Sequence, residues 1–306
     1  MTRTRMAVIG VGHLGQHHAR LLAGFEDVEL VGVMDVRADR ADEIAGKFGT
    51  RAWRSPAELL SRVDAVTIAA PTDAHVDLAL PFLHAGVAVL VEKPIAPSVA
   101  DADQLLEAAA RGGALLAAGH TERFNPAVVA ALPLVDAPRF IEVHRLGTFP
   151  ERSLDIDVIF DLMIHDLDLL LTITGSPVES VEAIGVNVLT PRTDIANVRL
   201  RFASGCIANL TASRISRDRV RKARFFQQDA YVSIDFAAQE VEVYRVVRRE
   251  GRPTIEGGRL EVVSDEPLRR ELADFVAAVR TGRPPGVTGR EGREALALAT
   301  RIAELM

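Results

Sequence analysis

The sequence predicts an α/β protein, built from an N-terminal doubly wound parallel sheet followed by an α+β domain with a mostly antiparallel sheet. Three observations carry this. The first 120 residues alternate short, continuously apolar runs with helical patterns, as a parallel sheet buried on both faces requires. A glycine-rich turn joins the first run to the first helix. After residue 138 the strand-like runs follow one another directly, with turns rather than helices between them.

Taken in order, buried strands are expected at Met6–Ile9, Glu29–Met34, Ala65–Ala69, Ala88–Val91 and Ala114–Ala118, with helices near 13–25, 38–47, 73–85 and 99–111. Further strands are expected around 138–146, 181–190, 195–203, 206–214, 222–235 and 240–247. Ser204-Gly205 and Gln227-Gln228-Asp229 read as hairpin turns. Thr281–Gly286 reads as a loop and 289–304 as a last helix. The expected division is 1–120, 121–288, and a C-terminal helix 289–306 that returns to the first domain.

The 306 residues suffice for two cores. The net charge of −6 and the lack of a basic stripe disfavour nucleic acid and anionic membranes as partners. No apolar run approaches the ~20 residues that cross a bilayer, and no signal peptide is read at the N-terminus, so a cytoplasmic protein is expected. The single cysteine, Cys206, reads as a buried strand residue and cannot build a thiolate metal site.

The turn "IGVGHLG" holds Gly10-x-Gly12-x-x-Gly15 after a strand and at the start of a helix, and Asp35 ends the next strand. That context marks a dinucleotide site. Gly10 permits the tight turn, Gly12 lets the backbone approach a pyrophosphate at the helix N-terminus, and Gly15 allows close helix–strand packing. Asp35 accepts hydrogen bonds from an adenosine ribose and favours NAD, while Arg37 and Arg40 leave NADP admissible. His13 and Leu14 lie in the turn and join the cofactor set; His17 and His18 read as structural.

Ligands of open α/β sheets bind beyond the carboxyl ends of the strands. Ala70, Pro71, Thr72 and His75 follow one such end, and Glu92-Lys93-Pro94 follows another. Basic residues here are almost all arginine; lysine occurs only at Lys47, Lys93 and Lys222. An amine kept at Lys93 points to a task that needs a compact charge with a shiftable pKa. Later, "VIFDLMIHDLDLLL" places Asp161 and His165 four apart, on one face of an otherwise apolar helix. A carboxylate one turn from an imidazole orients it and stabilises its protonated form, as a general base requires. No third or fourth ligand is evident, so no metal is expected. Asp166 and Asp168 stay unplaced.

Together, the glycine turn, "APTDAH", "VEKP" and Asp161-x-x-x-His165 resemble the glucose–fructose oxidoreductase, inositol dehydrogenase and rhizopine-catabolism (Gfo/Idh/MocA) family over essentially the whole chain. The resemblance implies a Rossmann domain, a C-terminal domain with a large open sheet, NAD(P)-linked oxidation or reduction of sugars and cyclitols, and homodimers or homotetramers formed through that sheet. It implies a catalytic trio of Lys93, Asp161 and His165. "GHTERFNPA", "DLMIHDLDL" and "FFQQDAYVSIDF" are similar to the UDP-N-acetylglucosamine 3-dehydrogenase branch. By the same resemblance Glu92 and Arg123 belong to the cofactor side and Asn125 to the substrate, and Arg145, Arg152 and Arg214 offer charge to a sugar diphosphate. Where many members have a glycine cluster, this chain has Leu154-Asp-Ile-Asp-Val158. The alternatives are a cyclitol or free-sugar dehydrogenase, a carbonyl reductase, and, from another class, an NAD-binding sensor that needs no base.

Overall fold

A computed structural model describes residues 3–149, 156–249 and 252–306. The chain forms two compact units, one of residues up to His120 together with Leu268–Leu296, the other of Thr121–Pro267 with Ala297–Met306.

In the first unit, β1 (Thr4–Ile9), α1 (Gly15–Ala23), β2 (Val28–Met34), α2 (Ala38–Phe48), β3 (Ala52–Trp53), β4 (Ala65–Ile68), α3 (His75–His84), β5 (Ala88–Glu92), α4 (Val99–Gly112) and β6 (Leu116–Gly119) alternate. The strands make an all-parallel sheet in the order β3-β2-β1-β4-β5-β6. Every residue of β4, β5 and β6 is buried, which is why these runs read as continuously apolar. Strand order reverses between β1 and β4, so the crevice beyond their carboxyl ends is where a ligand of this sheet binds.

In the second unit, α5 (Pro126–Ala131), β7 (Phe140–Leu146), a π-helical turn (Ile159–Met163), α6 (Ile164–Thr174), β8 (Val178–Val186), β9 (Ile195–Phe202), β10 (Ile207–Ser213), β11 (Val220–Gln227), β12 (Ala230–Asp235), β13 (Glu240–Val247) and β14 (Thr254–Leu260) follow in order. The eight strands run β14-β13-β12-β11-β7-β10-β9-β8. All pairs are antiparallel except β7 with β10. Burial alternates along β7 and β9, so this sheet has one packed face and one more open face.

Two helices close the chain, α7 (Pro267–Thr281) and α8 (Gly289–Ala303). The sequence pattern puts 268–288 in the second domain. In the structure α7 instead buries Leu268, Leu272, Phe275 and Val276 in one cluster with Met6, Val8, Leu22 and Val28, so it completes the first unit's core. The start of α8 lies against β6, where a side chain on Gly292 would meet Ala118 Cβ at 2.4 Å. No helix among the described residues is long and apolar enough to cross a membrane.

Candidate active site

The glycine turn follows β1. Gly10 has φ +81, and a Cβ there would lie 2.7 Å from Ala69 O. A Cβ on Gly15 would fall 1.8 Å from Gly10 O. A Cβ on Gly12 meets nothing within 4 Å, so open space lies beside the start of α1. Open space beside a helix start suits the pyrophosphate of a dinucleotide. Leu14 is 36% exposed at the same turn, and the His13 and His17 rings meet edge to face.

Asp35 stands after β2. Its Oδ2 accepts from Val11 N at 2.9 Å and its Oδ1 from Arg37 N at 3.0 Å. Each oxygen keeps a further lone pair for a ribose hydroxyl. Arg40 is one of the two arginines that, from sequence, leave a 2′-phosphate admissible. Its guanidinium is instead spent on Val11 O (2.9 Å), Glu43 (2.7 Å) and Gln16 (3.1 Å), which ties α2 to the glycine turn. Arg37 remains mostly exposed, 3.9 Å from Asp35.

Ala70, Pro71 and Thr72 follow β4. His75, expected at the cofactor edge, is buried. Its Nε2 lies 2.9 Å from Ala70 O and its Nδ1 3.0 Å from Pro94 O. Burial lowers the His75 pKa against the opposing pull of those two carbonyls. His75 thus braces two rim segments. Lys93 is half-buried just past β5 and precedes a cis Pro94. Glu92, also expected on the cofactor side, is 5% exposed and turned inward. Its Oε1 lies 3.1 Å from His18 Nε2, and its Oε2 accepts from Lys93 N at 3.2 Å.

The second unit carries Asp161 in the π-helical turn and His165 in the first turn of α6. Both are half-buried, while Met163, Ile164 and 166–170 are buried around them. One wide turn interrupts the expected regular helix: Ile164 N donates to Ile159 O, five residues back. Such π turns recur at functional sites.

Asp166 and Asp168, unplaced from sequence, anchor α6. Arg145 on β7 holds Asp166 through two bonds of 2.8 and 2.7 Å and Glu122 through a third of 2.8 Å. Burial pushes the Asp166 carboxyl above its ordinary range although Arg145 pulls it down. Burial also works against the Arg145 charge, but Asp166 and Glu122 more than offset it. Arg145 also lies over the Phe236 ring. Arg123 forms a second fork with Asp168, at 2.7 and 3.1 Å.

Three expected substrate residues are committed elsewhere. Arg145 is consumed by its two carboxylates. Asn125 is buried; its Oδ1 caps α5 at Ala127 N, and its amide donates to Glu122 and to Phe236 O. Arg214 is 2% exposed, donates to Ile156 O and to Thr193 O, and lies 3.7 Å from Asp194. Arg152 lies outside the described residues. Among the described residues no group of three or more His, Cys, Asp or Glu is placed to hold a metal ion. Sequence reasoning misses the His18–Glu92 pair and the Arg145 cluster, whose only signal is ionisable residues inside apolar runs.

Comparison with known proteins shows the family. Residues 4–120 match the model of the oxidoreductase family with an NAD-binding Rossmann fold, and residues 138–233 that of the GFO/IDH/MocA C-terminal domain. The chain is 40% identical to UDP-N-acetylglucosamine 3-dehydrogenase of Acidithiobacillus ferrooxidans, over 99% of this chain and 97% of that protein. It is 29% identical to myo-inositol 2-dehydrogenase of Thermotoga maritima, over 96% and 93%. A solved structure of the Acidithiobacillus enzyme superposes with TM-score 0.94 at 39% identity, covering 100% of this chain and 98% of that one. The chain belongs to the Gfo/Idh/MocA oxidoreductases and carries their NAD-binding Rossmann fold.

Proposed function

We propose that this enzyme oxidises a secondary hydroxyl of a UDP-N-acetylhexosamine to the ketone, with NAD as oxidant. The observation that carries the reading is the 40% identity, over nearly the full length of both chains, to an enzyme named for that reaction. The residues the chemistry needs are present: an ammonium, a carboxylate and an imidazole at Lys93, Asp161 and His165. Bound nicotinamide supplies the hydride acceptor. His165 takes the hydroxyl proton on a ring nitrogen. Asp161, one turn earlier, orients the imidazole and stabilises its protonated form. The Lys93 ammonium donates a hydrogen bond to the same oxygen as negative charge develops there. The glycine turn and Asp35 hold the dinucleotide.

The test is NADH formation across a panel of UDP-sugars, free sugars and inositols. A UDP-N-acetylhexosamine is expected to give the highest kcat/KM. His165→Ala and Lys93→Met are each expected to lower turnover by ~10²–10⁴-fold. Parental turnover in both variants, or a free cyclitol as the best substrate, refutes the reading. We further infer a cytoplasmic homodimer or homotetramer built on the eight-stranded sheet. Across its more open face Phe140, Phe226, Tyr231 and Tyr244 form an aromatic ladder with centroids 5.2–6.3 Å apart, which supports assembly there. Light scattering checks it.

A further inference from the structure

We propose that the buried His18–Glu92 pair is a positioning device for Lys93, fixing the backbone from which the ammonium projects. The proposal rests on the assignment of Lys93 to the reaction above. A carboxylate as buried as Glu92 is rare, and costly unless every oxygen is bonded. Its two oxygens divide the work. One faces His18 Nε2; the other accepts the N–H of Lys93. Space for the carboxyl exists because residue 119 is glycine, where a Cβ would come within 2.8 Å of Glu92 Cδ.

Stability alone does not account for the pair. His18 is fully buried, and its Nδ1 has no partner. An apolar pair of similar volume avoids both the desolvation and the unpaired nitrogen, and such replacements are often neutral or stabilising. What the polar pair adds is direction. The Lys93 N–H is held by Glu92, and the carbonyl of the next residue, Pro94, by His75. The peptide group that leads into the lysine and the one that leaves Pro94 are therefore both held. His18 in turn belongs to α1, the helix opened by the glycine turn, so the cofactor-binding element and the lysine share one register.

The experiment compares Glu92→Leu, Glu92→Gln and Lys93→Met in the full-length enzyme, reading kcat, KM for both substrates and the melting temperature. Glu92→Leu keeps the volume and loses both bonds. It is expected to lose about 10²-fold in kcat, the cost of a displacement near 1 Å, with both KM values within about threefold. Glu92→Gln keeps an acceptor for Lys93 N and a polar group for His18, and is expected to recover kcat to within about threefold of the parent. If Glu92→Leu does not fold, His18→Leu against His18→Gln gives the same contrast from the other end of the pair. A folded Glu92→Leu with parental kcat, beside an inactive Lys93→Met, overturns the positioning role alone. So does a Glu92→Gln as slow as Glu92→Leu. Parental kcat in Lys93→Met overturns the underlying assignment as well.

Discussion

Removing Arg145 strikes two buried carboxylates at once. In Arg145→Leu, Asp166 loses two hydrogen bonds and Glu122 one, all of 2.7–2.8 Å, while Asp166 remains only 2% exposed. Breaking a buried pair by deleting one partner costs about 3–5 kcal/mol, because the surviving charge is left uncompensated. For a unit of this size each kcal/mol moves the melting temperature by roughly 2–4 °C, so a fall of about 6–20 °C is expected. The sign of the pH dependence follows from Asp166. Its folded carboxyl already lies above the ordinary value, with burial the leading cause, and losing Arg145 raises it further. The folded state of the variant therefore binds a proton more readily than the unfolded chain. Its deficit is largest near neutrality and shrinks as pH falls toward the carboxylate range. Urea unfolding monitored by circular dichroism at about pH 7.5 and about pH 5 reads both effects. Arg145→Leu/Asp166→Leu is expected to recover part of the loss. A single variant within about 1 kcal/mol of the parent at neutral pH, or one made worse by acid, refutes the reasoning.

The remaining predictions concern the glycine turn and one buried aspartate. In Gly12→Ala the new methyl enters open space, so the melting temperature holds while NAD affinity by titration calorimetry falls at least about tenfold, near 1.4 kcal/mol. In Gly15→Ala the methyl is driven into the Gly10 carbonyl, and stability falls by about 1–3 kcal/mol whether or not NAD is present. Burial opposes ionisation of Asp194, but the N–H groups of Leu189, Thr190 and Val188 and the Thr190 hydroxyl outweigh it and bring its carboxyl down to about 2 from an ordinary 3.8. A depressed folded pKa gives stability that is present above about pH 4 and lost as pH falls through 2. Acid titration of Asp194→Asn should lack that component, and an unchanged acid limb refutes the assignment.

Local features are legible from the chain alone. Gly10, Gly12, Gly15 and Asp35 declare themselves because turn, helix start and strand end lie within one βαβ stretch. Lys93 stands out against an arginine-rich background. What sequence patterns miss depends on partners far along the chain. His18 and Glu92 are 74 residues apart, and Arg123 and Asp168 are 45 apart. Arg145 and Arg214 read as charges for a sugar diphosphate because nothing adjacent announces the carboxylate or carbonyl that receives them. The π turn is invisible because the apolar pattern of 158–171 is that of any buried helix. β14 is hidden because it holds Gly257 and Gly258 and is mostly exposed, which leaves no periodic signal. The parallel β7–β10 pair is masked by a run of neighbours that are hairpins.

The route of the chain bears on how the protein is made. The N-terminal unit is discontinuous: its core includes Leu268, Leu272, Phe275 and Val276, which leave the ribosome roughly 150 residues after His120. A nascent chain ending at residue 120 has a complete parallel sheet in sequence but an uncovered apolar face. The eight-stranded sheet, though second in the gene order, has its last strand by Leu260, before α7 arrives to finish the first unit's core. A fragment cut at the apparent boundary near residue 120 should therefore aggregate, and one that joins 1–120 to 268–296 by a short linker should stay monodisperse. Vectorial synthesis leaves the cofactor-binding half waiting for the tail of the chain, a window in which chaperones would find it.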